Sequence, residues 1–77
     1  MDMDGFVNEI KKQLSDNLNG VELEDDESYG IRTLYISSSR GYSGCPMGIY
    51  YTAYKSGIPI EDIVKVIAED YKENPSA

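Results

Sequence analysis

The chain has 77 residues, of which 14 are acidic and 7 are basic, so its formal net charge at pH 7 is -7. Direct binding to nucleic acid is disfavoured because neutralising phosphates takes lysine and arginine, and this charge also disfavours an anionic membrane surface. The length predicts a single domain, residues 1–77, with an ordered core over about residues 4–73, and it leaves little room for a large enclosed active site.

The predicted location is the cytoplasm. The first five residues contain two aspartates and lack the basic and apolar regions of a signal peptide. No apolar run approaches the roughly 18 residues that a membrane span needs. The one cysteine, Cys45, cannot form an internal disulfide, which is typical of a protein from a reducing compartment.

A first helix is predicted to begin at Asp4 as N-cap and to close at Asn19-Gly20. Its apolar residues recur three and four positions apart, as one buried helical face requires. These residues are Phe6, Val7, Ile10, Leu14 and Leu18.

A hairpin should follow the first helix. Residues 21–24 alternate apolar and acidic and predict a strand, residues 25–28 predict an acidic turn, and residues 30–37 predict a second strand. A loop over residues 37–41 leads to residues 42–47, which could form a short third strand. Gly44 and Pro46 weaken that assignment, because proline is confined to sheet edges.

The last third of the chain predicts two helices joined by an elbow. Residues 49–54 form a short tyrosine-rich helix, Gly57 supplies a left-handed C-terminal cap, and Pro59 starts the second helix. That helix should stop at Asn74-Pro75. Its apolar face comprises Ile60, Ile63, Val64, Ile67 and Tyr71. The predicted fold is α+β in the order α-β-β-(β)-α-α, with a two- or three-stranded antiparallel sheet packed by the first and last helices.

The order of these motifs resembles the N-terminal region of a family of uncharacterised proteins common in gut Firmicutes. The resemblance spans roughly residues 5–73 and rests on the helix of Phe6, the acidic hairpin and the segment Tyr50-Tyr51-Thr52-Ala53-Tyr54-Lys55-Ser56-Gly57 before the last helix. The hairpin here is shorter, and Cys45-Pro46 replaces an apolar-aromatic pair. The family has no established activity, so the resemblance implies a fold only.

No catalytic, cofactor or metal site is expected. The chain has no histidine to act as a base beside Cys45, so a buried structural role for this thiol is favoured over a reactive one assisted by Arg40. Residues 15–26 echo a calcium loop only faintly, and they would interrupt the first helix. The Ser/Gly segment 37–48 lacks the spacing of a phosphate-binding loop. The protein is therefore predicted not to be an enzyme.

The unusual feature of the sequence is an acidic run with five carboxylates in six positions and no base. One interpretation is a solvated, solubilising turn. The other is a surface complementary to a basic groove, which would steer association and compete with nucleic acid. The residues of the run are Glu22, Glu24, Asp25, Asp26 and Glu27.

A tyrosine excess is the second feature, with seven tyrosines and no tryptophan. Tyr50, Tyr51 and Tyr54 cannot all face one core from one short helix, because adjacent helical positions point about 100° apart. At least one should be exposed, and Tyr50 and Tyr54 are the candidate contact residues of an interface. Ordinary half-buried packing is the alternative.

These features predict a non-enzymatic acidic binding protein. The leading hypothesis is an inhibitor that docks, as a nucleic-acid mimic, on the basic surface of a nucleic-acid-binding protein. Small phage-encoded anti-CRISPR proteins are similar in size and charge. The alternative is an interaction or scaffold module that homodimerises through its tyrosine-rich helix. No cofactor, direct nucleic-acid contact or membrane contact is expected.

Overall fold

The computed structural model describes residues 1–73 of the chain. Within this range the elements are α1 Met3–Asn17, β1 Glu22–Ser28, β2 Ile31–Ser38, β3 Gly41–Pro46, α2 Met47–Lys55 and α3 Ile60–Glu73. The strands form one antiparallel sheet in the order β1-β2-β3. The predicted α+β class and element order are confirmed, and the third strand is present. The predicted helix stop at Asn74-Pro75 lies outside the described residues.

Helix α1 begins earlier than its sequence signals predict. Asp2, and not Asp4, is the N-cap, and its carboxylate accepts a 2.8 Å hydrogen bond from the backbone N–H of Gly5. Asp4 lies in the first turn, where its carboxylate binds Arg32 instead. The predicted apolar face is confirmed, since Phe6, Val7, Ile10, Leu14 and Leu18 are all buried.

The β1–β2 connection differs from the predicted acidic turn at residues 25–28. Strand β1 continues through Ser28, and the turn is Tyr29-Gly30, whose φ angles are 55° and 76°. Two successive positive φ angles define the type I′ turn, which matches the twist of the flanking strands. Gly30 meets this requirement without strain, so the chain reverses there. The acidic residues therefore lie in the ladder, with Asp25 opposite Leu34 and Asp26 opposite Thr33.

The β2–β3 connection is also tighter than predicted. Ser38 pairs with Gly41, so Ser39 and Arg40 form a two-residue turn in place of a loop over residues 37–41. Strand β3 is an edge strand that ends at Pro46. Proline lacks the backbone N–H that a ladder hydrogen bond needs, and a sheet tolerates it on an edge strand.

The elbow between α2 and α3 has the predicted glycine cap. Gly57 has a φ of 111°, and its backbone N–H donates to the carbonyl of Tyr54. The backbone N–H of Ile58 donates to the carbonyl of Ala53, which completes a Schellman motif. This motif ends α2 and redirects the chain, so that α3 can return across the molecule to pack against α1.

One hydrophobic core joins all three helices to one face of the sheet. Helix α1 packs on α3 and β1, while α2 packs on β2. The buried strand residues all belong to the same sheet face. Leu34 and Ile36 are two positions apart on β2 and so share a face, and Cys45 is the ladder partner of Leu34. On α3, Ile63, Val64, Ile67 and Tyr71 are buried as predicted, and Ile60 is half-buried.

Candidate docking surface

The sheet presents its second face to solvent. Side chains alternate between the faces of a strand, so the ladder register assigns each position to one side. We use "outer face" for the side opposite the helices. Its ladder positions are Glu22, Glu24, Asp26 and Ser28 on β1, Ile31, Thr33, Tyr35 and Ser37 on β2, and Tyr42, Gly44 and Pro46 on β3. None of these residues is buried, which is consistent with a face that the helices leave uncovered.

The predicted acidic run is divided between the two faces. Glu22, Glu24 and Asp26 line the outer face along the edge strand, about 6.8 Å apart along the chain. We call these three residues the acid row. Glu22 and Glu24 are exposed, and Asp26 is half-buried and accepts a 3.0 Å hydrogen bond from the Ser28 hydroxyl. Asp25 and Glu27 lie on the opposite face, so the interpretation of five carboxylates as one surface is wrong.

The acidic run contains no base in sequence, but the fold brings one to it. Arg32, which lies on the helix side of β2, donates to both carboxylate oxygens of Asp25 at 2.7 and 2.8 Å. Its third contact is a 2.7 Å bond to Asp4 of α1. The hydrogen bonds from Arg32 lower the pKa of Asp25, outweighing the effect of its partial burial, and they raise the pKa of Arg32. Arg32 thus ties the hairpin to α1 and removes Asp25 from any docking surface.

The outer-face ladder, in contrast, has three carboxylates and no base. Its positions on β2 and β3 carry isoleucine, threonine, serine, tyrosine, glycine and proline, and neither lysine nor arginine. No protein cation therefore neutralises the acid row from within the ladder. A cationic partner could approach it without displacing an existing ion pair.

Two tyrosines lie on the outer face, Tyr35 on the central strand β2 and Tyr42 on the edge strand β3, and sequence reasoning overlooked both. The rings of Tyr35 and Tyr42 lie 6.5 Å apart between centroids. Tyr35 also covers Gly44, where an added Cβ would lie 3.1 Å from the ring. Tyr42 is 52% exposed. Alternation within the predicted second strand could have found Tyr35, because the aliphatic residues Leu34 and Ile36 flank it and point to the other face.

The tyrosine-rich helix is less available than predicted. Tyr50, Tyr51 and Tyr54 are all half-buried, so the expectation that at least one is exposed is wrong. Phe6 explains this packing, because its ring lies 5.3 Å from the rings of both Tyr51 and Tyr54. Tyr50 is directed elsewhere, toward α3. The two tyrosines predicted to form one contact surface therefore lie in different environments.

Cys45 is buried on the helix-covered face of β3. Burial, together with the nearby charge of Asp70, raises the pKa of its thiol to about 11. At neutral pH the thiol is therefore protonated, and the thiolate is the nucleophilic form. These properties indicate a packing role.

An open groove adjoins the outer face where β2 begins and β3 passes into α2. Its volume is about 460 Å³. We call it the end groove, and its side-chain lining includes Met3, Glu27, Ile31, Pro46, Ile49 and Thr52. Ile31 and Ile49 are 61% and 69% exposed, so the groove presents apolar surface to water. Neither isoleucine was singled out from the sequence, because exposure depends on tertiary packing.

Two further structural findings concern residues 1–73 only. No helix in this part of the chain combines the length and apolar character needed to cross a membrane. Over the same residues, no three acidic or cysteine side chains gather closely enough to hold a metal ion.

Comparison with known proteins found no similar family, protein or structure, since the chain matches no protein-family model, no curated protein and no solved structure. The resemblance to a gut Firmicutes family therefore stays an expectation, and the functional argument rests on the residues and their geometry.

Proposed function

We propose that this protein is a non-enzymatic acidic binding protein of the cytoplasm that docks its outer face on a basic protein surface. Its partner is a nucleic-acid-binding protein, which it inhibits as a nucleic-acid mimic in the manner of an anti-CRISPR protein. The observation that carries the proposal is the acid row, three carboxylates on an uncovered sheet face whose ladder holds no base.

Charge and shape support this mode of binding. The acid row adds to a chain whose net charge of -7 attracts cationic surfaces over distances of about 8 Å at physiological salt. Tyr35 is the ladder partner of Glu24 in the row, and Tyr42 lies next to Tyr35 on β3, so two aromatic rings are available on this face for contacts with lysine or arginine side chains. A basic surface that normally receives phosphates would find carboxylates and aromatic rings together here. The absence of histidine and the protonated, buried Cys45 thiol support a non-enzymatic role.

The test begins with a pull-down from the native host and continues with binding kinetics against the captured protein. Glu22→Lys combined with Glu24→Lys reverses two exposed charges of the acid row. The matched control, Asp16→Lys combined with Glu69→Lys, changes net charge equally at exposed helix positions. We expect the acid-row variant to lose at least about tenfold in affinity, chiefly through the on-rate, and wild-type binding to weaken as salt rises. Equal on-rates for wild type and both variants would exclude the acid row as the contact.

A second function, homodimerisation as a scaffold module, is favoured by one observation on the other side of the molecule. An apolar groove of about 220 Å³ lies between α2 and α3. Its lining includes Tyr50, Ala53, Ile58 and Val66, of which Ile58 and Val66 are 45% and 58% exposed. Tyr54 takes no part, since it packs on Phe6.

The dimer hypothesis is tested by sedimentation equilibrium of wild type and Val66→Asp. If this groove is a self-association surface, wild type sediments as a dimer and the variant as a monomer, because an unpaired carboxylate cannot be buried cheaply in an apolar interface. Monomeric wild type at about 100 μM, well above the Kd of a stable dimer, would contradict it.

A further inference from the structure

The end groove borders the outer face at Ile31 and Pro46, which the ladder register places on that face, and its remaining lining lies on the helix side of the sheet. Asp26 of the acid row is the ladder partner of Thr33, which in turn pairs with Pro46 at the edge of the groove. Neighbouring strands lie about 4.8 Å apart, so the row and the groove are within reach of one short segment. A ligand bound along the acid row would therefore extend naturally into this groove.

The lining of the groove combines apolar side chains with acidic character. Met3, Ile31 and Ile49 provide the apolar wall, and the exposed Glu27 stands at its margin. The cation there, Arg32, is already bound by Asp25 and Asp4. The groove can therefore accept a ligand's apolar side chain when the ligand also carries a positive charge nearby. Glu27 would repel an anionic ligand.

We propose that the end groove receives an apolar side chain of the partner, carried on a segment whose lysines or arginines contact the acid row. The occupant is thus a basic peptide segment with leucine-sized apolar residues. This inference rests on the proposed function, and it adds that charge alone does not define the partner.

The groove between α2 and α3 is the competing apolar site for such a side chain. It is about half as large, and Asp62 is the charged residue in its lining. It is also built from the two helices, whereas the end groove shares Pro46 with the outer face. This border with the outer face therefore favours the end groove.

Two octapeptides of equal charge are suitable probes, one with six lysines and two leucines and the other with six lysines and two serines. We expect the leucine peptide to bind wild type about tenfold more tightly by calorimetry, because its leucines leave water in the groove. It should shift the amide resonances of Met3, Ile31 and Ile49, and the serine peptide should shift those of the acid row.

Variants test whether the end groove is the source of the preference for the leucine peptide. Ile49→Ser should abolish the difference between the two peptides while leaving binding of the serine peptide unchanged. Ile31→Thr, which keeps a β-branched residue on β2, provides a second test. The matched control is Val66→Ser in the α2–α3 groove, at a position of similar exposure, and it should keep the tenfold preference.

The outcomes separate this inference from the proposed function. Equal affinity for the two peptides, or a preference that survives in Ile49→Ser and is lost in Val66→Ser, overturns the end groove and leaves the acid row standing. Absence of binding by both peptides at low salt overturns the acid row and the end groove together.

Discussion

At the scale of single residues, Arg32 has the most consequential contacts. Its guanidinium joins β1 and α1 through Asp25 and Asp4, and its side chain is 15% exposed. A bidentate arginine–carboxylate pair is stronger and more directional than an ordinary surface ion pair. Arg32 is therefore a structural residue, although its ladder partner, Glu27, belongs to the acidic run.

We predict that Arg32→Met lowers the free energy of unfolding by about 1–2 kcal/mol, because it leaves the partly buried Asp25 without its donors. Arg32 lowers the pKa of Asp25 from its ordinary value of 3.8. The stabilisation is therefore present above that value and is lost as pH falls through the lower pKa of the folded state. Urea unfolding from pH 7 to pH 2 should show the wild-type advantage shrinking in acid.

Arg40→Met is the control for this measurement. The Arg40 guanidinium donates to the backbone carbonyl of Lys72, is exposed and pairs with no carboxylate of residues 1–72. Its replacement should cost less than about 0.5 kcal/mol and introduce no change in the pH profile. A loss as large as that of Arg32→Met, or a pH-independent loss in Arg32→Met, would contradict the role given to the Asp25 pair.

A second residue-scale prediction concerns the Cys45 thiol. Labelling with a thiol-specific disulfide reagent at pH 7.5 should be at least about 100-fold slower in the native protein than in urea, since burial and a pKa of about 11 suppress the thiolate. Cys45→Ala should unfold at a modestly lower denaturant concentration and bind the partner as wild type does. Rapid native labelling with loss of partner binding would restore the reactive-thiol interpretation.

At the scale of elements, the β1–β2 hairpin is held in register by its turn, although one turn residue is unfavourable. Tyr29 has a φ of 55° and a fully exposed side chain. A left-handed backbone costs a bulky residue about 1–2 kcal/mol, and no packing of the Tyr29 ring offsets that cost. Asparagine and glycine are the residues that a type I′ turn prefers.

We therefore predict that Tyr29→Asn raises the free energy of unfolding by about 0.5–1 kcal/mol, measured by urea denaturation. Tyr42→Asn is the comparison, because it also replaces an exposed tyrosine but in the extended backbone of β3. That change should destabilise, since asparagine is a poor strand residue and the contact with Tyr35 is lost. A fall in stability for Tyr29→Asn would show that the Tyr29 side chain has a packing role.

At the scale of the whole molecule, the shared core couples every element to the others. Ile67 of α3 is fully enclosed, and the same core holds Phe6 of α1, Leu34 of β2 and Met47 of α2. Detachment of any one helix from this core would expose buried side chains of the other helices and of the sheet. A domain of this size is expected to unfold in a single cooperative transition.

Ile67→Ala should lower the free energy of unfolding by about 2–4 kcal/mol, a large fraction of the stability of a small domain. Far-ultraviolet circular dichroism, which follows the helices, and tyrosine fluorescence should report one coincident transition in wild type and variant. Val66→Ala is the control at the neighbouring, 58% exposed position, and it should change stability by less than about 0.5 kcal/mol. Separate transitions, or equal losses in both variants, would contradict a single shared core.

Local sequence patterns account for the helices, the elbow and the central strand. The three- and four-residue spacing of Phe6, Ile10 and Leu14, and of Ile63 and Ile67, predicted both long helices and their buried faces, because helical geometry fixes which positions share a side. Gly57 predicted the elbow for the same local reason, since a positive φ suits glycine. The β-forming residues of the segment 30–37 predicted β2, and its core face was not predicted.

Which carboxylates share a surface depends on strand pairing, and the local sequence does not specify it. Aspartate and glutamate are poor strand residues, so residues 25–28 resembled a turn, and pairing with β2 made them a strand. That register sent Glu22, Glu24 and Asp26 to the outer face and brought Asp25 to Arg32. Phe6 likewise determined which tyrosines are covered. The Asp25–Arg32 pair spans the hairpin, and the Phe6–Tyr51 contact joins two helices that are distant in the chain. The free energy of both contacts depends on partners that no local pattern specifies.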